Sequence, residues 1–154
     1  MSNIVRLPGT SGAALQAHRL APLLMPKRVA LVGASPKEGT VGNGMIVAAS
    51  LGNAGAPSPV ELTLINPNYP EIGGRPAYPN LKAAPQVDMA VLGVSNERLE
   101  AALDDAIAAN VKAVTIFASG YLDTDREPRL TARVSAKARE AGIQICGGNC
   151  MGFY

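Results

Sequence analysis

The sequence predicts an α/β fold built on a parallel β-sheet, and three observations carry that expectation. Short apolar runs recur along the chain, at residues 29–32, 60–65, 89–94, 113–118 and 143–146. Runs of this length suit strands buried on both faces. Between several of them lie segments with apolar residues at helical spacing, an alternation that makes right-handed β-α-β units on a parallel sheet. Glycine-rich turns follow the first and last runs. Five strands are therefore expected.

Taken in order, residues 1–12 hold one arginine and no apolar run, the composition of a flexible tail rather than a secretion signal. Residues 13–24 carry a short helical pattern expected to end near Pro22. The chain thus divides into a tail with the start of the first helix, 1–19, and one domain, 20–154. The first strand, 29–32, stops at Gly33. A loop holding Ala34, Ser35, Lys37, Gly39 and Gly42 follows, then a helix over 43–53 with Met45, Ile46 and Ala49 on one side. A turn-rich connector, 53–59, leads to the second strand, which Asn66 and Pro67 end.

Residues 68–81 form a Pro/Gly/Tyr-rich excursion, expected to be an irregular ordered loop of the kind that carries function. After the third strand, Val94 leads to Ser95, an expected N-cap for a helix over 96–109 with Leu99, Leu103, Ala106 and Ile107 inward. The fourth strand ends in a turn at Ser119 and Gly120. The acidic segment 123–128, with Pro128, predicts a helix N-terminus. That helix runs to Ala141 with Leu130, Val134, Ala138 and Ala141 inward, and Gly142 ends it. The fifth strand, 143–146, is followed by Gly147-Gly148-Asn149.

With 47% hydrophobic and 17% charged residues in 154, the composition is that of one globular domain. The net charge is +2, with no Lys/Arg run and no tryptophan, which gives nucleic-acid binding no support. No apolar stretch has the length of a membrane helix, and a cytoplasmic protein is expected. Cys146 and Cys150 have no second Cys or His pair to complete a zinc set, so no metal site is expected and both should be reduced thiols.

Ligands of parallel sheets bind at the carboxyl ends of the strands, at the switch in strand order. The loops at those ends are 33–42, 66–78, 94–95, 119–120 and 147–149. A strand, a glycine-rich turn and a helix start together favour an anion, because open N–H groups and the helix dipole face it. Two familiar phosphate signatures fail. A P-loop needs Gly-Lys-Ser/Thr where Glu38-Gly39-Thr40 stands, and a dinucleotide fingerprint needs glycine where Ser35 stands. The second strand also ends without the carboxylate that holds a nicotinamide ribose.

Three blocks resemble one known family: Val-Ala-Leu-Val-Gly-Ala-Ser-Pro-Lys-Glu-Gly-Thr-Val-Gly-Asn from 29, Leu-Ile-Asn-Pro-Asn-Tyr-Pro-Glu-Ile-Gly-Gly-Arg-Pro-Ala-Tyr-Pro-Asn-Leu from 64, and Gly-Gly-Asn-Cys-Met-Gly from 147. They stand in the order and spacing of the N-terminal CoA-binding domain of nucleoside-diphosphate-forming (ADP-forming) acyl-CoA synthetases, related to the succinyl-CoA synthetase alpha subunit. The likeness runs from about Leu20 to the end. It implies a Rossmann-like three-layer sandwich with a mostly parallel sheet and CoA or acyl-CoA as the ligand. By that resemblance Gly33, Ala34, Ser35, Lys37, Gly39 and Gly42 face the nucleotide and pyrophosphate, and Asn66 and Pro67 wall that part. Val94, Ser95, Ser119 and Gly120 line the pantetheine path, with Asn149 nearby. Tyr69 and Tyr78 are candidates to stack on the adenine. The chain departs from the family at Gly148 and Ser95, where proline is usual.

In the full-length synthetases a histidine of the following domain carries the phosphoryl group, and a grasp domain binds the nucleotide. The one histidine here, His18, does not match that position, and no Ser/His/Asp or Cys/His set can be assembled. No catalytic residue is expected, and Cys150 is expected to be inert. Further synthetase domains or subunits, or a second copy covering the exposed fifth strand, are the expected protein partners. Two other readings stand beside this one: a stand-alone CoA-binding regulatory or carrier protein, and an NAD(H)-binding Rossmann domain.

Overall fold

The computed structural model describes residues 18–51 and 58–150. The expected tail, the first half of the first helix, most of the 53–59 connector and the Met-Gly that closes the third block lie outside the described residues.

Strands β1 (Arg28–Val32), β2 (Glu61–Ile65), β5 (Met89–Leu92), β6 (Ala113–Ile116) and β7 (Gln144–Cys146) are the five apolar runs. Each pairs in parallel with its neighbours. Two further strands, β3 (Glu71–Ile72) and β4 (Arg75–Tyr78), come from the excursion expected to be irregular. The sheet therefore has seven strands, not five, in the order β3-β4-β2-β1-β5-β6-β7. β4 runs parallel to β2, with Leu64 opposite Ala77 and Ile65 opposite Tyr78. β3 folds back antiparallel on β4, with Ile72 opposite Arg75. Gly73 and Gly74, at φ +58° and +75°, make the two-residue turn between them.

Among the described residues the α-helices are α1 (Ala21–Leu24), α2 (Val41–Ser50), α3 (Leu99–Ala108) and α4 (Leu130–Ala141). Alternating side chains of each strand feed two cores. Val29, Leu31, Leu64 and Val91 meet Met45 of α2, with Ala34 and Ile72. Ala30, Val32, Ala90, Leu92, Val114 and Ile116 meet Leu99, Leu103, Ala106, Leu130, Val134 and Ala138 of α3 and α4. The three-layer α/β sandwich follows from that split.

Three boundaries and one inward-facing residue differ from expectation. Pro22 sits in the first turn of α1 rather than at its end, where its missing N–H costs nothing. Residues Asn96–Arg98 form a 3-10 turn before α3, and Ser95 makes no capping bond with its side chain. The acidic segment 123–128 stays outside α4; instead Asp125 Oδ2 accepts the Leu130 N–H at 2.6 Å. Ala141 is exposed, because α4 closes one residue later, at Gly142 in the left-handed region (φ 70°). Ile107 is partly buried against the core, on the side expected.

Candidate functional site

The chain leaves β1 for β2 on one side and later enters β5 on the other side of β1. Loops leaving the carboxyl ends of β1 and β5 therefore part in opposite directions, and the crevice between them is where such sheets bind ligands.

Two glycines fix the β1 side. Gly33 has φ +90°, and a Cβ there would lie 2.5 Å from the Gly93 carbonyl oxygen, so only glycine lets the β1 and β5 loops touch. A Cβ on Gly42 would collide with the Gly33 carbonyl oxygen, so the first turn of α2 presses directly on the loop. Thr40 caps that helix: its Oγ1 accepts the Asn43 N–H at 3.2 Å and donates to the Lys37 carbonyl at 2.7 Å. Ser35 Oγ accepts the Lys37 N–H at 3.1 Å, shaping the turn before it. No acidic side chain stands in the first turn of α2. The N–H groups of that turn and the helix dipole are left to attract an anion.

Asn66 ties the second loop to the first. Its Nδ2 donates to the Ala34 carbonyl at 2.7 Å, and its Oδ1 accepts the Asn68 N–H at 2.9 Å. Its own N–H donates to the Tyr78 carbonyl at 2.9 Å. The end of β2 thus carries an amide doing a positioning task, with no carboxylate toward the crevice.

Beyond β5, Asn96 organises the other half. Its Oδ1 accepts the Gly120 N–H at 2.9 Å, and its Nδ2 donates to Ser119 Oγ at 3.2 Å. Asn149, at φ 59°, donates its N–H to the Ala118 carbonyl at 2.8 Å. A Cβ on Gly148 would lie 2.7 Å from the Ser119 carbonyl oxygen, so the last loop runs against the β6 loop. A cavity of about 380 Å³ opens beside Ser119 and Gly120, lined also by Tyr121, Asp125, Arg129 and Thr131.

All the sequence-derived candidates lie on these loops, but not in one manner. Lys37, Gly39, Pro67, Ser95, Ser119 and Asn149 are exposed; Gly33, Ser35 and Asn66 are half-buried. Ala34 is fully buried in the α2-side core, and Gly42 and Gly120 are buried too, so these three can offer only main-chain atoms. Val94 packs on the other core. Tyr78 is half-buried and also packs there, whereas Tyr69 is exposed. Three residues at this edge escaped the sequence reading: Asn96, and the exposed Phe117 and Tyr121. An asparagine directly after a strand-end serine was the available signal for the first. His18 is exposed, and its neighbour Arg19 reaches Gln144 at the amino end of β7, so it belongs to the opposite edge. Among the described residues no cluster of three metal-ligating side chains occurs, and no helix is long and apolar enough to cross a membrane.

An open, mainly parallel α/β sheet with a glycine-lined crevice at its switch point is the architecture of nucleotide-type cofactor domains. Within that class the chain belongs to the CoA binding domain family, which it matches over residues 27–154. It is 31% identical, over 133 residues, to acetate–CoA ligase [ADP-forming] I of Archaeoglobus fulgidus, covering 85% of this chain and 18% of that protein. The chain thus spans under a fifth of the length of the first curated relatives it matches. Its fold superposes on the dinucleotide-forming acetyl-coenzyme A synthetase 1 of Ca. Korarchaeum cryptofilum, solved with phosphate and ADP, at TM-score 0.74 and 28% identity. That match covers 86% of this chain and 28% of that one. A conserved hypothetical protein of Pyrococcus furiosus matches at TM-score 0.61 and 25% identity, covering 81% of this chain and 96% of that one. The CoA-binding region of ADP-forming acyl-CoA synthetases is therefore what this domain is homologous to.

Proposed function

We propose that this chain binds CoA or acyl-CoA along the carboxyl edge of its sheet, as the CoA-binding module of an ADP-forming acyl-CoA synthetase. The observation that carries the reading is the start of α2: a helix N-terminus where Thr40 caps the Asn43 N–H and no acidic side chain stands, pressed by Gly42 onto the β1 loop at the switch point. CoA brings several phosphate charges to such a place. In this reading the main chain of Gly33, Ala34, Gly39 and Gly42, with Ser35 and Lys37, holds the pyrophosphate. Asn66 and Pro67 wall the nucleotide, Tyr69 faces the adenine, and Val94, Ser95, Ser119, Gly120 and Asn149 line the pantetheine. The reaction served is acyl-CoA with nucleoside diphosphate and phosphate giving acid, CoA and nucleoside triphosphate. This chain supplies the thiol ligand; a further domain or subunit supplies the phosphoryl-carrying histidine and the nucleotide grasp. A second copy paired along β7 is the alternative partner.

The second reading, a stand-alone CoA-binding regulatory or carrier protein, is favoured by the Pyrococcus furiosus match, which this fold covers almost end to end. The third, an NAD(H) domain, is opposed by Asn66 at the end of β2 and by Ser35. Titration calorimetry with CoA, acetyl-CoA and NADH tests the proposal. CoA and acetyl-CoA should both bind and NADH should not; tight NADH binding without CoA heat would overturn it. The native protein's intact mass then separates module from free-standing protein.

A further inference from the structure

Cys146, the last residue of β7, and Cys150 are the two cysteines of the sequence. The turn 147–149 folds the chain back so that their sulfurs lie 2.9 Å apart. Both are free thiols and half-buried, so solvent reaches them. The backbone holds this arrangement. Asn149 donates its N–H to Ala118, and Cys150 donates its own to the Ile116 carbonyl at 3.0 Å. Gly148 and Gly147 press on the β6 end with no room for a side chain. A disulfide bond of about 2.05 Å asks the sulfurs to approach by roughly 0.9 Å more. Two thiols held in contact by main-chain bonds are arranged for that bond.

We propose that Cys146 and Cys150 form a redox-active dithiol, a site that takes low-molecular-weight disulfides as its substrate and closes to an intramolecular disulfide. The site stands on the sulfur geometry alone and does not depend on CoA binding.

The two sulfurs differ in environment. Burial first, then the hydrogen bond with Cys150 and its charge, push the Cys146 thiol up to about 11. Cys146 is held within the strand, whereas Cys150 lies in the loop beyond it, and Cys150 is assigned as the attacking sulfur. Its thiolate attacks one sulfur of R–S–S–R; that bond breaks, R–S⁻ leaves and takes a proton, and Cys150–S–S–R remains. The charge and thiol of Cys150 that opposed ionisation of Cys146 are now gone. Cys146 loses its proton to solvent and attacks the Cys150 sulfur, expelling the second R–S⁻. The protein dithiol is oxidised by two electrons, and one disulfide is reduced to two thiols. The ring so closed is short, so chain-entropy stabilisation is small and excess thiol reopens it.

The test uses the reduced chain, excess glutathione disulfide, an alkylating quench and intact-mass spectrometry. Both thiols should disappear together, giving a chain lighter by two hydrogens that dithiothreitol restores. The variant Cys146→Ser should keep a stable glutathione adduct on Cys150. The variant Cys150→Ser should form its adduct more slowly, because burial still opposes ionisation of Cys146 there. Two alkylatable thiols persisting in the wild-type chain, or an unresolved adduct on Cys150 there, would overturn the proposal, and neither reading needs a variant to fold. Equal rates in the two variants would overturn the order of attack.

Discussion

Gly42 and Gly44 stand two residues apart in α2 and have opposite surroundings. Helix propensity alone makes alanine better than glycine at both, by about 1 kcal/mol. At Gly44 a Cβ meets nothing within 4 Å, so Gly44→Ala should stabilise by about 0.5–1 kcal/mol. At Gly42 the Cβ falls on the Gly33 carbonyl. Overpacking there costs about 1–3 kcal/mol, and Gly42→Ala should be destabilising despite the helix gain, with CoA binding lost. Urea unfolding of the two variants measures both signs. Asn66 gives a sharper test of ligand class. Asn66→Asp places at the end of β2 the carboxylate that a nicotinamide site uses, but it removes the donor to Ala34. That leaves the carbonyl of the buried Ala34 unpaired at a cost of about 1–3 kcal/mol. CoA affinity should fall about tenfold or more through repulsion of its phosphates, and NADH binding should not appear, because Ser35 still occupies the fingerprint position. Calorimetry with both ligands checks the pair.

At the scale of elements, α3, α4 and the loop before α4 are joined through one guanidinium. Arg133 donates to Glu100 Oε2 at 3.0 Å and Asp125 Oδ1 at 2.9 Å, and to the carbonyls of Arg126 and Pro128. The Arg133 hydrogen bond holds the Glu100 carboxyl below its usual range, and the Leu130 N–H, then Arg133, does the same for Asp125. Asp88 is lowered likewise by its bond with Arg28 at the opposite edge. Each of these carboxyls binds protons more weakly folded than unfolded. Their stabilisation is complete above the unfolded values, near pH 4, and is lost as pH falls through the lower folded values. The urea midpoint should be flat from neutral pH to about pH 5 and drop below about pH 4. Arg133→Gln should make that acid limb shallower while loosening the loop that lines the cavity.

Elements were legible in the sequence wherever one strong signal acted alone. The strands β1, β2, β5, β6 and β7 announced themselves as apolar runs, although β7 is only half-buried, and Gly142 as a helix stop. The hairpin of β3 and β4 was hidden because Pro70, Pro76 and the glycine pair read as loop. Yet Gly73-Gly74 between Ile72 and Arg75 is a two-residue hairpin signal, and Pro76, although in an inner strand, stands before the β4 residues that pair with β2, which begin at Ala77. Ser95 failed as a cap because a 3-10 turn intervened, a choice made by Asn96 reaching across to Gly120. Such cross-loop bonds join residues 24 apart and leave no local pattern. For the same reason the burial of Ala34 and Tyr78 could not be read from their motifs.

For the molecule as a whole, what matters is that one edge gathers every loop with unusual chemistry while two separate cores hold the sheet behind it. The loops from β1 and β2 are tied by Asn66, those from β5 and β6 by Asn96, and those from β6 and β7 by Asn149. A ligand that spans those loops should therefore bind the folded domain and not the unfolded chain, and so raise its stability by mass action. At a hundredfold excess over its dissociation constant, CoA should add about 2.7 kcal/mol, or roughly 8 °C in melting temperature for a domain of this size. Because the attraction rests on phosphates at the start of α2, raising salt from about 0.05 M to about 0.5 M should weaken affinity and shrink the shift. Dephosphorylated pantetheine, which keeps the thiol arm but brings no phosphate, should give little shift at matched concentration. Differential scanning calorimetry across the two salt levels makes the comparison. A shift that pantetheine reproduces in full, or that salt leaves unchanged, would move the principal contact from the α2 start to the cavity beside Ser119 and Gly120.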